Sequence, residues 1–145
     1  MNKLILNLIK LSNLSFFGRL FYFLLKFIFC IDVARGATFG KNIIFAHFAT
    51  GLVVHEKTKI SDNVVFYHNV TLGRADAYQD YSLSKMEGIE IDEGAVLCAG
   101  SKILCKDGIL KVGKNTVIGA NAVLLCSTGD NEIWAGIPAK KISNR

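Results

Sequence analysis

VGKNTVIGANAVLLCSTG, residues 112–129, divides into the sixes VGKNTV, IGANAV and LLCSTG, each opening on an aliphatic side chain. A period of six is neither the roughly 3.6 of an α-helix nor the 2 of a two-sided strand. It fits short flat strands joined by tight corners, three strands to a coil. The beat extends far upstream. VARGAT, FGKNII and FAHFAT run from Val33, and after a slip of three residues VHEKTK, ISDNVV, FYHNVT and LGRADA run from Val54. IDEGAV, LCAGSK and ILCKDG resume at Ile91 and meet the quoted stretch across a second slip of three.

All thirteen openers (Val33, Phe39, Phe45, Val54, Ile60, Phe66, Leu72, Ile91, Leu97, Ile103, Val112, Ile118 and Leu124) are aliphatic or phenylalanine. Four places on, Ala37, Ala49, Thr58, Val70, Ala95, Ser101, Thr116 and Ala122 keep a column that is mostly small or β-branched. Asn42, Asn63, Asn69, Gly94, Gly100, Asn115 and Asn121 supply corner residues that accept turn geometry. The expected fold is therefore all-β: a parallel β-helix in which stacked coils share one apolar core, preceded by a short helical segment. Pro138 falls beyond the repeats, where no ladder bond is lost.

At 145 residues and 51% hydrophobic, the chain suits one folded domain. The net charge of +5 and pI near 9.1 come from scattered lysines and arginines. Without a basic block interleaved with aromatics, nucleic acid is not an expected partner, and only a weak pull toward anions follows. Cys30, Cys98, Cys105 and Cys126 form no CxxC pair and follow no signal peptide. They read as reduced cytoplasmic thiols, mostly filling core volume.

The first thirty-one residues form a separate apolar segment. Arg19 and Lys26 cut Leu14–Ile31 into runs too short to span a bilayer. Leu4, Leu8, Leu11 and Leu14 recur at helical spacing, which predicts an amphipathic helix. It either packs on a partner subunit or lies on a membrane surface, giving a cytoplasmic protein or one held at the inner face of the membrane.

Histidines stand in FAHFATGLVVHE at His47 and His55, and in FYHNVT at His68. In such apolar surroundings a histidine is a core residue, a metal ligand or a general base. The beat separates them: the third place of a six points outward, which suits His47 and His68, while His55 falls on a corner. Asp32 precedes His47 by fifteen residues, close to one coil of eighteen, so a carboxylate–imidazole pair on adjacent levels is expected.

Over Ile31–Ile142 the chain resembles the hexapeptide-repeat acyltransferases, through IDVARGATFGKNI, AHFATGLVVHE, NVTLG, GAVLCAGSKIL, VGKNTVIGANAVL and WAGIPAKKI. The resemblance is closest to the serine acetyltransferase branch and its relatives that O-acetylate saccharides. It implies a left-handed parallel β-helix, acetyl-CoA as co-substrate, a homotrimer with clefts between neighbouring coils, His47 as base and Asp32 as its support. It further implies coenzyme A contacts at Ala99, Gly100, Gly119 and Ala120, with Lys140 and Lys141 near the phosphates. No metal is expected, because the three-histidine spacing of the hexapeptide-fold carbonic anhydrases is not matched.

Departures from the branch bear on the acceptor. GRADAYQDYSLSKMEGIE, residues 73–90, interrupts the beat and predicts a loop excursion. Glu87 and Gly88 stand where serine acetyltransferases carry the arginine and histidine of an Arg-His-Pro element that holds the amino acid. Ala46 replaces the acid before the catalytic histidine, and Phe48 is an extra residue after it. The expected reaction is acetyl transfer to a saccharide hydroxyl of a surface glycan, with His68 and Phe48 on the acceptor. Serine acetylation is the alternative, and a non-catalytic scaffold is the rival of another class.

Overall fold

The computed structural model describes residues 2–13 and 18–145; Leu14, the fourth leucine of the expected stripe, lies outside the described residues. Two helices, α1 (Asn2–Ser12) and α2 (Gly18–Ile28), precede the strands. The first coil comprises β1 (Asp32–Val33), β2 (Thr38–Phe39) and β3 (Ile44–Phe45), and the second β4 (Val53–Val54), β5 (Thr58–Ile60) and β6 (Val65–Phe66). The third comprises β7 (Thr71–Arg74), β8 (Lys85–Ile91) and β9 (Val96–Leu97), and the fourth β10 (Lys102–Cys105), β11 (Asp107–Val112) and β12 (Val117–Ile118). β13 (Val123–Leu124) and β14 (Glu132–Gly136) begin a fifth coil, and β15 (Ala139–Asn144) folds back.

Equivalent strands stack into three sheets: β1-β4-β7-β10-β13, then β2-β5-β8-β11, then β3-β6-β9-β12-β14-β15. Every pairing is parallel except β14 with β15. The register follows the period of six. Phe45 stands over Phe66, Phe66 over Leu97, Leu97 over Ile118 and Ile118 over Trp134. Twelve of the thirteen openers are buried, and Phe39 is half-buried against them. Phe45 and Phe66 stack at 6.1 Å between centroids, so aromatic packing fills the interior of the first two coils. At the corners Asn42, Asn63, Asn69, Asn115 and Asn121 all take positive φ, a conformation that asparagine tolerates better than most residues.

Three expectations need correction. In α1 the buried positions are Ile5, Ile9 and Ser12, while Leu4 is 50% exposed. The isoleucines close the open end of the first coil, and the Asn2 side chain accepts from the Phe45 backbone N–H at 3.2 Å, which fixes that helix face inward. The excursion expected over 73–90 narrows to 75–84, because β7 and β8 continue their ladders to Arg74 and from Lys85. Among the cysteines only Cys105 is buried; Cys30 and Cys126 are exposed, since neither occupies an inward place.

The excursion is held from within. Arg74 donates to the Asp76 carboxylate at 2.8 Å and to the Gln79 carbonyl, and its guanidinium lies 4.9 Å over the Tyr81 ring. Asp76 is fully buried, and the Arg74 guanidinium keeps its carboxyl well below the usual carboxylate range. Tyr81 in turn donates to Glu56 and stacks on His55.

Candidate active site

His47 lies two residues beyond Phe45, and His68, Ala99 and Ala120 lie two beyond Phe66, Leu97 and Ile118, which are in register with it. These four positions therefore form one column along the corner where the third sheet turns into the first. Backbone bonds tie successive levels, Gly100 N–H to the His68 carbonyl at 2.9 Å and Asn121 N–H to the Ala99 carbonyl at 2.9 Å. The imidazoles of His47 and His68 approach edge to face at 5.8 Å, and Tyr67 stands 6.0 Å from His47. The tyrosine was not legible as a neighbour, because it sits in a corner whose side chains do not alternate as in a strand.

The His47 corner is unlike those above it. His47, Phe48 and Ala49 have φ of 52°, 61° and 46°, three left-handed residues in succession, where the next corner of the column has one, at Asn69. The extra residue Phe48 is absorbed there, and the bend leaves His47 and Phe48 exposed while Ala49 stays buried. His68 is half-buried, and its Nδ1 is shielded from solvent with no hydrogen-bond partner among the described residues. A buried ring nitrogen without a partner is costly and suits a site that a ligand completes.

Asp32 reaches this corner by backbone. Gly51 N–H donates to the Cys30 carbonyl at 2.9 Å, and Asp32 N–H to the Leu52 carbonyl at 2.8 Å. Its carboxylate, however, accepts from Tyr22 Oη at 2.8 Å and Lys26 Nζ at 2.9 Å, both on α2, and the hydrogen bond expected to His47 is not among its contacts. The corner that carries His47 stacks one level above the entry to β1, as the spacing of fifteen led one to expect, but the carboxylate turns instead toward α2, which supplies both of its donors. Partial burial pushes the Asp32 carboxyl up, but hydrogen bonds from Lys26 and Tyr22 and the lysine charge outweigh it, leaving Asp32 below the usual range. The i, i+4 pair Tyr22 and Lys26 on a helix leading to an aspartate was the available sequence signal.

The small residues have local reasons to be small. Gly100 takes φ 72°, and a Cβ there would run into the Asn121 side chain; a Cβ at Gly119 would stand 3.1 Å from the Trp134 carbonyl. Ala99 and Ala120 leave the column shallow above His68. Lys141 is engaged with Glu132 at 2.8 Å, whereas Lys140 is exposed and makes no ion pair among the described residues. His55 stays outside the column: it stacks on Tyr81, and Lys57 N–H donates to its Nδ1 at 3.1 Å. Among the described residues no group of three or more histidine, cysteine or acidic side chains is arranged to hold a metal ion.

Glu87 and Gly88 line a separate groove of about 270 Å³ over the second sheet with Lys57, Lys59 and Ile109. A Cβ at Gly88 would meet the Lys57 carbonyl at 2.9 Å, so a larger residue there requires the backbone to move.

No family model matches the chain. A serine acetyltransferase of Helicobacter pylori is 33% identical over 132 residues, covering 86% of this chain and 72% of the relative. The chain belongs to the serine acetyltransferase family. A second family member, from Haemophilus influenzae, is 36% identical over 115 residues, 79% of this chain and 40% of the relative. The crystal structure of the Brucella abortus serine acetyltransferase in complex with coenzyme A superposes with a TM-score of 0.79 at 30% identity, over 96% of this chain and 54% of that one. The chain thus spans under half the length of one of these family members and about half of another. The family fold is the left-handed parallel β-helix, the architecture of the stacked coils and three parallel sheets above.

Proposed function

We propose that the chain transfers the acetyl group of acetyl-CoA to a hydroxyl oxygen, with His47 as general base and serine as acceptor. The observation that carries the reading is the corner column: an exposed imidazole, a second imidazole with an unpartnered nitrogen, then two alanines on successive levels. The names of the relatives support the donor and the acceptor. They favour serine over the saccharide hydroxyl that the sequence pointed to first.

In this reading His47 takes the proton of the acceptor hydroxyl as that oxygen attacks the thioester carbonyl carbon. The carbon–sulfur bond breaks, the acetyl group stays on the oxygen, and the imidazolium returns its proton to the departing thiolate. General-base catalysis of this kind contributes about 10²–10⁴-fold. Asp32, held ionised by Tyr22 and Lys26, stabilises the imidazolium through space and not by a direct hydrogen bond. His68 and Phe48 flank the acceptor. Coenzyme A runs along the column past Ala99, Gly100, Gly119 and Ala120, and Lys140 serves its phosphates better than Lys141, whose charge Glu132 already takes. The working form is a cytoplasmic homotrimer, with clefts between neighbouring copies.

One observation favours a saccharide hydroxyl as a second reading. Glu87 and Gly88 offer no cation for the carboxylate of an amino acid, Lys57 and Lys59 in the same groove are engaged with the Met86 carbonyl and Glu90, and the close Lys57 carbonyl leaves no room for a side chain at 88. Incubating the protein with acetyl-CoA and, separately, serine or a glycan panel, while following free thiol, tests both. Turnover with serine and none with glycans supports the first reading, and the reverse supports the second. Absence of both turnover and coenzyme A binding overturns the enzyme.

A further inference from the structure

Helix α2 turns Leu20, Phe23 and Phe27 to solvent, at 54%, 54% and 68% exposure, and the two phenyl rings stack at 4.1 Å. Spacings of three and four place them in one stripe along the helix. Single exposed apolar side chains are ordinary; a continuous aromatic stripe marks a surface that something covers. Next to it Arg19 and Arg35 line a shallow pocket of about 310 Å³ with Tyr22 and Ala34. The free charge beside the stripe is positive: Arg19 and Arg35 make no ion pair among the described residues, while Lys26 is taken by Asp32.

From this combination we infer that the α2 face docks on an anionic phospholipid bilayer. The helix lies in the interfacial plane with Leu20, Phe23 and Phe27 among the acyl chains, and Arg19 and Arg35 take a headgroup phosphate in the pocket between them. A two-fold contact between copies would set the same cations against each other, and a contact within the trimer is the outcome that the oligomeric mass of the phenylalanine variant separates. Spanning is not the mode either: no described helix is long and apolar enough to cross a membrane. Because α2 packs on β1, docking would hold the first coil beside the membrane.

The test is co-sedimentation of the full chain with vesicles of phosphatidylglycerol and phosphatidylcholine, against phosphatidylcholine alone. Binding is expected to the anionic vesicles, to weaken as salt is raised from about 0.1 M to about 1 M, and to survive free inorganic phosphate. The pair Phe23→Ser with Phe27→Ser, and separately Arg19→Glu with Arg35→Glu, should each weaken it at least about tenfold while thiol release and circular dichroism stay unchanged. Equal binding of both variants and the parent, or no binding of the parent to anionic vesicles at low salt, overturns the proposal. So does a parent that ignores vesicles but loses oligomeric mass in the phenylalanine variant, which would make the face a contact between copies.

Discussion

The imidazole of His68 meets that of His47 edge to face, with centroids 5.8 Å apart and ring planes at 82°. One ring is exposed, and the other is half-buried with an Nδ1 that has no partner among the described residues. The pair is therefore asymmetric, and the proposed reading gives proton transfer to His47 and acceptor contact to His68.

Replacing the two separates those jobs. His47→Ala should lower kcat for thiol release by about 10²–10⁴-fold with the melting temperature unchanged, since the ring is exposed and makes no side-chain hydrogen bond among the described residues. His68→Phe keeps the ring volume and removes the nitrogen, so it should raise the acceptor KM while leaving kcat within about threefold. Steady-state kinetics with varied acceptor reads both.

Asp32→Asn has two expected signatures. Activity should fall less than in His47→Ala, by about tenfold, because the support acts through space. The salt bridge to Lys26 is lost as well, and faster amide exchange in α2 than in β7 or β10 is the sign that the carboxylate anchors the helix. In the parent, the depressed Asp32 pKa contributes stability that is present above the unfolded value, near 3.9, and fades as pH falls through the lower folded value.

Mild acid should destabilise the protein through His55. Its burial disfavours the cation, and Lys57 and Arg74 add to this while Glu56 and Asp76 oppose, leaving the pKa lowered. The unfolded chain then takes up the proton first, so stability is whole above about 6.5 and is lost as pH falls below it. Chemical denaturation between pH 8 and pH 5 reads this slope, which His55→Gln should flatten.

Phe48→Gly tests the bend at the base. A left-handed conformation costs a residue with a Cβ about 1–2 kcal/mol, and glycine gives back about 0.5–1 kcal/mol in chain entropy. The variant is expected to be as stable as the parent or about 1 kcal/mol more so. Loss of the exposed ring should meanwhile change acceptor KM, which thermal melts and kinetics together reveal.

The openers were legible because an inward place in a stacked coil imposes one demand, apolar volume, and Val33 through Leu124 all meet it. His47 and His68 followed from counting two places on, whereas Ala99 and Ala120 entered only through the resemblance. Partners set by elements outside the period were not legible. Tyr22 and Lys26 claim the Asp32 carboxylate through a helix whose angle no local pattern specifies. The buried face of α1 fell to Ile5 and Ile9 because leucine and isoleucine satisfy the same helical spacing, and only the shape of the coil end chooses between them. The excursion was overestimated because MEGIE, in β8, is a ladder segment whose outward residues break the six-residue pattern without breaking the strand.

A stack of like coils has no inherent length, and an uncovered last rung invites another chain to continue the ladder. At one end of the third sheet Asn2 takes the Phe45 N–H, and at the other β15 runs against β14 in the opposite direction. The new outer rung carries Lys140 and Lys141, and an edge rich in lysine repels a neighbouring strand of the same kind. Along this sheet, growth into a fibre is disfavoured at both ends, leaving the flanks of the prism as the surfaces through which copies can assemble.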